Sequence, residues 1–139
     1  QNLNSKFIKM IQIPSIGFGK APASTRGATS TTIREAIQQG CRLFLCSSLD
    51  ADQAMIGNTI KQCIQEGLVK REELFIVNKF YTSTQDVEAS LKRSLGSMGL
   101  EYFDASLVTP FADDGQVDIE AACKVYQALE KLLPLGITK

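Results

Sequence analysis

The 139-residue sequence contains no histidine and no tryptophan. Without an imidazole, Ser-His-Asp and Cys-His catalysis are excluded, as are zinc sites with a histidine ligand and the usual near-neutral general base. Chemistry in this chain falls to Lys, Tyr, Asp, Glu or Cys. Net charge is missing too: 15 basic side chains balance 15 acidic ones, so nothing points to nucleic acid or an anionic membrane as a partner. No stretch approaches the roughly 18 apolar residues of a membrane span, and no charged-then-apolar signal segment opens the chain. The cysteines Cys41, Cys46, Cys63 and Cys123 form no C-x-x-C pair, which argues against a four-cysteine zinc site, and no metal is expected. Three of them lie inside apolar patterns, as suits reduced core thiols, so a reducing, intracellular compartment is expected. A redox role for Cys46 finds little support, because the only basic neighbour in sequence is Arg42 and reactive thiols need an electropositive setting.

What is present is enough apolar material for a core, 44% of the residues, in a length that suits about one domain. Because Gln1 rather than Met comes first, the chain is expected to be a processed product, a fragment or the ordered part of something longer.

Short apolar runs alternate with longer amphipathic ones. Phe7 to Phe18 reads as extended, with Pro14 marking an edge or turn. Arg42 to Ser47, Leu74 to Asn78 and Phe103 to Val108 are near-continuous apolar runs, the pattern of parallel strands covered on both faces. Helices are expected between them. Thr32 to Glu35 reads as a capping box, with Gly40 ending that helix. Asp52 caps a second helix, with Met55, Ile56, Ile60 and Ile64 at helical spacing as far as Gly67. Ser83 with Asp86 starts a third, carrying Val87, Leu91 and Leu95 before Gly96 and Gly99. Asp118 caps a fourth, with Ala122, Val125, Leu129 and Leu132 on one stripe, stopped by Pro134 and Gly136.

Strand centres near 44, 76 and 106 recur about every 30 residues, the size of a βα unit. One more step places a strand near residue 137. Such units build either an open doubly wound sheet or a closed (β/α)8 barrel. The dinucleotide fingerprint G-x-G-x-x-G is absent, since Gly17-Phe18-Gly19 is followed by Lys20, Ala21 and Pro22. On the barrel reading this is the first half, because a whole barrel needs roughly 250 residues. The Ser/Thr-rich stretch Ala23 to Thr32 reads as a solvated loop running into a helix cap, and Lys70-Arg71-Glu72-Glu73 as a charge-balanced solvated turn. Tyr81 and Tyr102 read as packing residues.

A family resemblance rests on several segments. Ile13 to Gly19 resembles the opening of aldo-keto reductases, where a short hairpin closes the barrel floor. Glu35-Ala36-Ile37 through Gly40-Cys41-Arg42 resembles the family's "A-I-x-x-G-Y-R-H-I-D", and Ile56-Gly57 through Ile60 its "V-G-x-A-I". Glu66 to Lys79 is similar to "E-G-x-V-K-R-E-D-L-F-I-V-S-K", the strongest match. Ser90-Leu91 through Asp104 resembles "S-L-x-x-L-x-L-D-Y-L-D", and Tyr126 to Leu132 resembles "W-x-A-M-E-x-L". The likeness runs over nearly the whole chain but reaches only the family's first four βα units, stopping before its "I-G-V-S-N" strand. It implies α/β architecture of the TIM-barrel type: an N-terminal hairpin plus about four βα units, with residues 1–139 as one half-barrel domain truncated before the fifth strand.

The resemblance also implies a site. The family reduces carbonyls with NADP(H) through an Asp, Tyr, Lys and His tetrad, in which Tyr gives the proton, Lys assists it, Asp holds the Lys and His orients the substrate. These positions fall on Leu45, Asp50, Lys79 and Thr109, so only Lys79 matches. An ionised Asp50 is an acceptor only and repels a developing oxyanion. Thr109 carries no positive charge, and Leu45 removes the partner of Lys79. No catalytic residues are therefore expected, and no cofactor either, except NADP(H) if the missing half-barrel is supplied; most of the family's NADP contacts come from that half. Asp50 is expected to serve as a new counter-charge for Lys79 or else as a solvated loop acid. The resulting expectation is a non-catalytic structural or regulatory subunit, its open edges covered by a protein partner or by self-association. The alternative is the N-terminal part of an NADP(H)-dependent reductase.

Overall fold

The computed structural model describes residues 12–19, 30–49, 51–111 and 115–139. Four strands, β1 (Gly17–Gly19), β2 (Leu43–Ser47), β3 (Phe75–Phe80) and β4 (Ala105–Val108), alternate with four helices, α1 (Ser30–Gln38), α2 (Gln53–Gln65), α3 (Val87–Met98) and α4 (Ile119–Glu130). All neighbouring strands are parallel and their spatial order is the sequence order, β1-β2-β3-β4. A doubly wound sheet reverses its strand order at a switch point; this one does not, and the barrel reading holds. Near the expected next strand the structure shows a single parallel bridge, Thr138 to Phe103, with the Phe103 N–H donating to Ile137 O at 3.1 Å and the Ser106 and Thr138 hydroxyls 2.8 Å apart.

Register determines which side chains share a face. Gly19, Leu45, Val77 and Ala105 lie in one layer, and Ser47, Lys79 and Leu107 in the next. Because successive side chains alternate, Phe44, Cys46, Ile76 and Phe80 point to the other face. There they are buried with Ile33 and Ile37 of α1, Ile56, Ile60 and Cys63 of α2, and Leu91, Leu95 and Met98 of α3. The core therefore sits between sheet and helices. The opposite face, lined by Gly17, Gly19, Leu43, Leu45, Phe75 and Val77, borders an open cleft of about 460 Å³.

Two of the expected caps form: the Asp86 side chain accepts from Ala89 N and the Asp118 side chain from Ala121 N, each at 2.9 Å. Others do not. Helix α1 already begins at Ser30, so Thr32 is its third residue and the capping box read at Thr32 to Glu35 is displaced. The Ser/Thr-rich stretch is likewise helical from residue 30; its earlier part lies outside the described residues, as does the hairpin before residue 12. Asp52 holds the N-cap position of α2 but its side chain makes no cap bond. Gly96 does not end α3 but lies inside it; Gly99 ends it in the left-handed conformation.

The turn at Lys70 to Glu73 is also not merely solvated. Arg71 reaches under the sheet, pairing with Asp104 at 2.8 Å and donating to Leu74 O at 3.0 Å and Tyr102 O at 2.8 Å. Its guanidinium stacks 4.0 Å from the Tyr102 ring centroid, and Asp104 accepts in turn from Ile76 N at 3.0 Å. Only 19% of the Arg71 side chain and 14% of Asp104 are exposed, so the pair is shielded. Arg71→Met is expected to lower the unfolding free energy by about 2–3 kcal/mol, because it strips bonds from a charged donor and leaves Asp104 partly unmatched. Urea unfolding measures this; a loss under about 0.5 kcal/mol, the range of ordinary surface changes, rejects the network as a structural tie.

On the outer surface Arg34 of α1 is bidentate to Glu66 after α2. That hydrogen bond holds the Glu66 carboxyl below its ordinary range and raises the Arg34 guanidinium. A depressed carboxyl contributes stability above its ordinary range and loses it as pH falls through the folded value. Glu66→Gln is expected to flatten the acid limb of the stability–pH curve without touching the neutral-to-alkaline limb. Unfolding midpoints measured from about pH 3 to 8 in both proteins decide this, and parallel curves reject it.

Candidate active site

Lys79 is the fifth residue of β3 and sits on the same face as Val77, towards the interior of the barrel arc. It is half-buried near the carboxyl end of the strand, where barrel enzymes place their chemistry. Its Nζ lies 5.0 Å from the centroid of the Tyr81 ring, a cation–π contact. Tyr81, expected from the sequence to be a packing residue, is therefore also the ring on which the site lysine rests. Sequence spacing held a weak signal for this, two residues on one strand end, but not its direction.

Leu45 occupies the layer below, level with Gly19 and Val77. Its side chain lines the apolar cleft with Val77 and Leu107. Thr109 follows β4 directly, and its N–H donates to Phe80 O at 3.0 Å, which ties the ends of β3 and β4 together. Lys79 and Thr109 are thus gathered at the carboxyl ends of β3 and β4, whereas Leu45 lies in the middle of β2, one layer below, because β2 runs on to Ser47. Asp50 lies outside the described residues. None of the ion pairs found among the described residues includes Lys79.

Three buried polar side chains near this end lack hydrogen-bond partners: Ser48 through its Oγ, Thr82 through its Oγ1, and Asn78 through both amide atoms. Asn78 is fully buried on the helix-facing side of β3, where an unmatched amide costs about 1–3 kcal/mol. Gln53, also buried, donates to Ser47 O at 2.7 Å and Ser94 Oγ at 3.1 Å. The thiols Cys46 and Cys63 are buried, Cys41 is half-buried and Cys123 exposed, and none of the four is in a disulfide. Burial pushes the Cys63 thiol up, which keeps it unreactive.

The described residues do not by themselves fit a dinucleotide. A Cβ on Gly19 meets only Leu45 at an ordinary 3.6 Å, and one on Gly17 strikes the Leu43 side chain, so neither glycine opens a phosphate cradle. The inner face is apolar apart from Lys79 and the hydroxyls near it. Among the described residues no group of His, Cys, Asp and Glu is placed to hold a metal, and no helix is long and apolar enough to cross a membrane.

Chemically, Lys79 supplies an amine, Tyr81 a phenol and Thr109 a hydroxyl. A carboxylate at position 50 cannot give up a proton at neutral pH.

Comparison with known proteins agrees with this geometry. The Aldo/keto reductase family matches residues 16–139. An NADH-dependent D-xylose reductase of Candida parapsilosis is 32% identical over 92% of this chain and 46% of its own length. An NAD(P)H-dependent D-xylose reductase of Pyricularia oryzae is 31% identical over 93% of this chain and 47% of its own length. Among solved structures, a Bombyx mori aldo-keto reductase in complex with NADP superposes with a TM-score of 0.77 at 26% identity, covering 91% of this chain and 45% of that one. The chain therefore spans about half the length of the relatives it matches. With parallel strands in sequential order and a lysine at the interior end of the third, this chain belongs to the aldo/keto reductase family.

Proposed function

We propose that this chain is the N-terminal half of an aldo-keto reductase barrel, an oxidoreductase domain that acts on carbonyl compounds with NAD(P)H once four further strands close around it. The observation that carries the reading is Lys79: the one retained family position sits near the carboxyl end of β3, on the same face as Val77, in a chain matched by the family from residue 16 to 139. The lysine would act as a cation beside the carbonyl oxygen, with the cofactor held largely by the other half. Residues 1–139 act as one half-barrel unit, in a reducing compartment that keeps Cys46 and Cys63 as packing thiols.

A second reading is favoured by one specific observation. Leu45, Asp50 and Thr109 stand where the resemblance places an acid, a proton donor and a histidine. A barrel with these residues serves as a structural or regulatory subunit whose apolar inner face is covered by a protein partner or by a second copy.

The native protein, sized by intact mass and by its complex, separates the readings. Aldehyde-dependent NADPH oxidation together with a thermal shift by NADPH supports the reductase. A thermal shift without turnover supports the non-catalytic barrel. Neither response, in a protein whose mass covers a whole barrel, rejects the cofactor in both.

A further inference from the structure

We propose that Tyr81 is a positioning residue for Lys79: the face of its ring holds the lysine ammonium at the carboxyl end of β3. Lys79 is the fifth residue of that strand and Tyr81 the first beyond it. Residues two apart on extended chain send their side chains to one face. Here Nζ stands over the Tyr81 ring, 5.0 Å from its centroid, within the roughly 6 Å over which the negative face of a ring attracts a cation. Both side chains are half-buried, so water competes less for the ammonium than it does on a helix surface.

The backbone that carries the pair is tied at three successive carbonyls. The Ser48 N–H donates to Lys79 O at 3.0 Å, the Thr109 N–H to Phe80 O at 3.0 Å and the Thr84 N–H to Tyr81 O at 3.1 Å. Both side chains therefore leave a fixed main chain, and the flexible part is the four-carbon stem of the lysine. The ring restricts that stem. In register with Lys79 stand Ser47 and Leu107, and the layer below holds Leu45 and Val77; none of these carries a charge. A ring also differs from a carboxylate in what it leaves to the cation. A carboxylate takes up N–H donors and cancels the charge, whereas a π face attracts the ammonium without neutralising it and leaves its donors to other acceptors. Those donors then serve a carbonyl oxygen as it gains negative charge. This last consequence rests on the reductase reading; the contact between Lys79 and Tyr81 does not.

The test is side-chain NMR of the whole chain with isotope-labelled lysine, the Lys79 signal being assigned by its loss in Lys79→Arg. Protons over a ring face move upfield, and a held side chain has a higher order parameter than a free one. Lys79 is expected to exceed Lys92 and Lys124 in both respects, since these two are exposed on α3 and α4. Lys139, 3.6 Å from the Tyr102 ring centroid, is the internal standard for a ring-held lysine. The order at Lys79 is expected to survive Tyr81→Phe, which keeps the ring, and to survive Asp50→Asn. It is expected to fall to the level of Lys92 in Tyr81→Leu, with an unmoved Lys139 signal showing that the fold persists; Tyr81→Met replaces that variant should it unfold. A wild-type Lys79 that matches Lys92 in shift and order overturns the proposal without any variant. Order retained in the folded Tyr81→Leu protein overturns it as well, and so does order lost in Tyr81→Phe, which assigns the hold to the phenol hydroxyl. Order lost in Asp50→Asn overturns it by assigning the hold to a carboxylate. Neither readout needs cofactor or turnover: failure to reduce aldehydes rejects the reductase reading and leaves the contact, and a freely moving Lys79 rejects the contact and leaves the reductase reading.

Discussion

Gly57→Ala is expected to destabilise this protein by about 3 kcal/mol, although it adds one methyl group and improves helix propensity. Gly57 lies inside α2 and is buried where that helix meets α3. A Cβ at this position falls far inside van der Waals contact of the Met98 carbonyl oxygen, Cα and carbonyl carbon. The obstacle is backbone, so no rotamer change relieves it; α2 or the end of α3 must move. Overpacking of this sort costs about 1–3 kcal/mol and sometimes more, and a rigid neighbour places the cost at the upper end. Gly96→Ala is the control. It also lies inside a helix, α3, but is exposed, and a methyl added there meets nothing within 4 Å. There the helix propensity of Ala acts alone, and a gain of about 0.5–1 kcal/mol is expected. Urea unfolding of both variants measures the contrast, and Gly57→Ala unfolding at the wild-type midpoint would show that the two helices are not in fixed contact.

The second large effect concerns the replaced positions. In a barrel completed by the second half of a related D-xylose reductase, the native Leu45, Asp50 and Thr109 are expected to hold carbonyl reduction to a low rate. Asp50→Tyr with Leu45→Asp and Thr109→His is expected to raise it about 10²- to 10⁴-fold, the range for a positioned proton donor. The gain should appear chiefly in kcat, since a proton given in the transition state does little for ground-state binding. The reason lies in the site: Leu45 has no polar atom for Lys79, Thr109 has a hydroxyl but no charge, and an ionised carboxylate at 50 opposes the alkoxide. A chimera already fast with the native residues would mean that other groups, Tyr81 foremost, carry the proton, and that the three replacements are not losses.

The sequence carried much of this architecture in plain view. Parallel strands buried on the helix side appear as runs such as Leu74 to Asn78, because every other residue meets a helix and its neighbours meet the barrel interior. The period of about 30 residues placed extended chain near residue 137, where the structure pairs Thr138 with Phe103 in a single bridge. Asp86 and Asp118 were legible as caps because a cap bond spans three residues of one segment. The positions of Lys79 and Thr109 at strand ends followed from the same local patterns, whereas Leu45 lies mid-strand in β2.

What could not be read there depends on segments far apart in the chain meeting at a particular register and distance. Arg71 looked neutralised by Glu72 and Glu73, yet its partners are Asp104 and Tyr102, more than a strand and a helix away. Gly57 resembled any helical glycine until α2 was laid against Met98. Lys79 needed the β2–β3–β4 register to place Leu45 below it and Leu107 beside it, and the strand end to bring Tyr81 under its nitrogen. Hydrophobic period and cap chemistry are local and survive in one dimension. Close approach, charge pairing and the composition of a site are set by how sheet and helices pack, and they exist only in three.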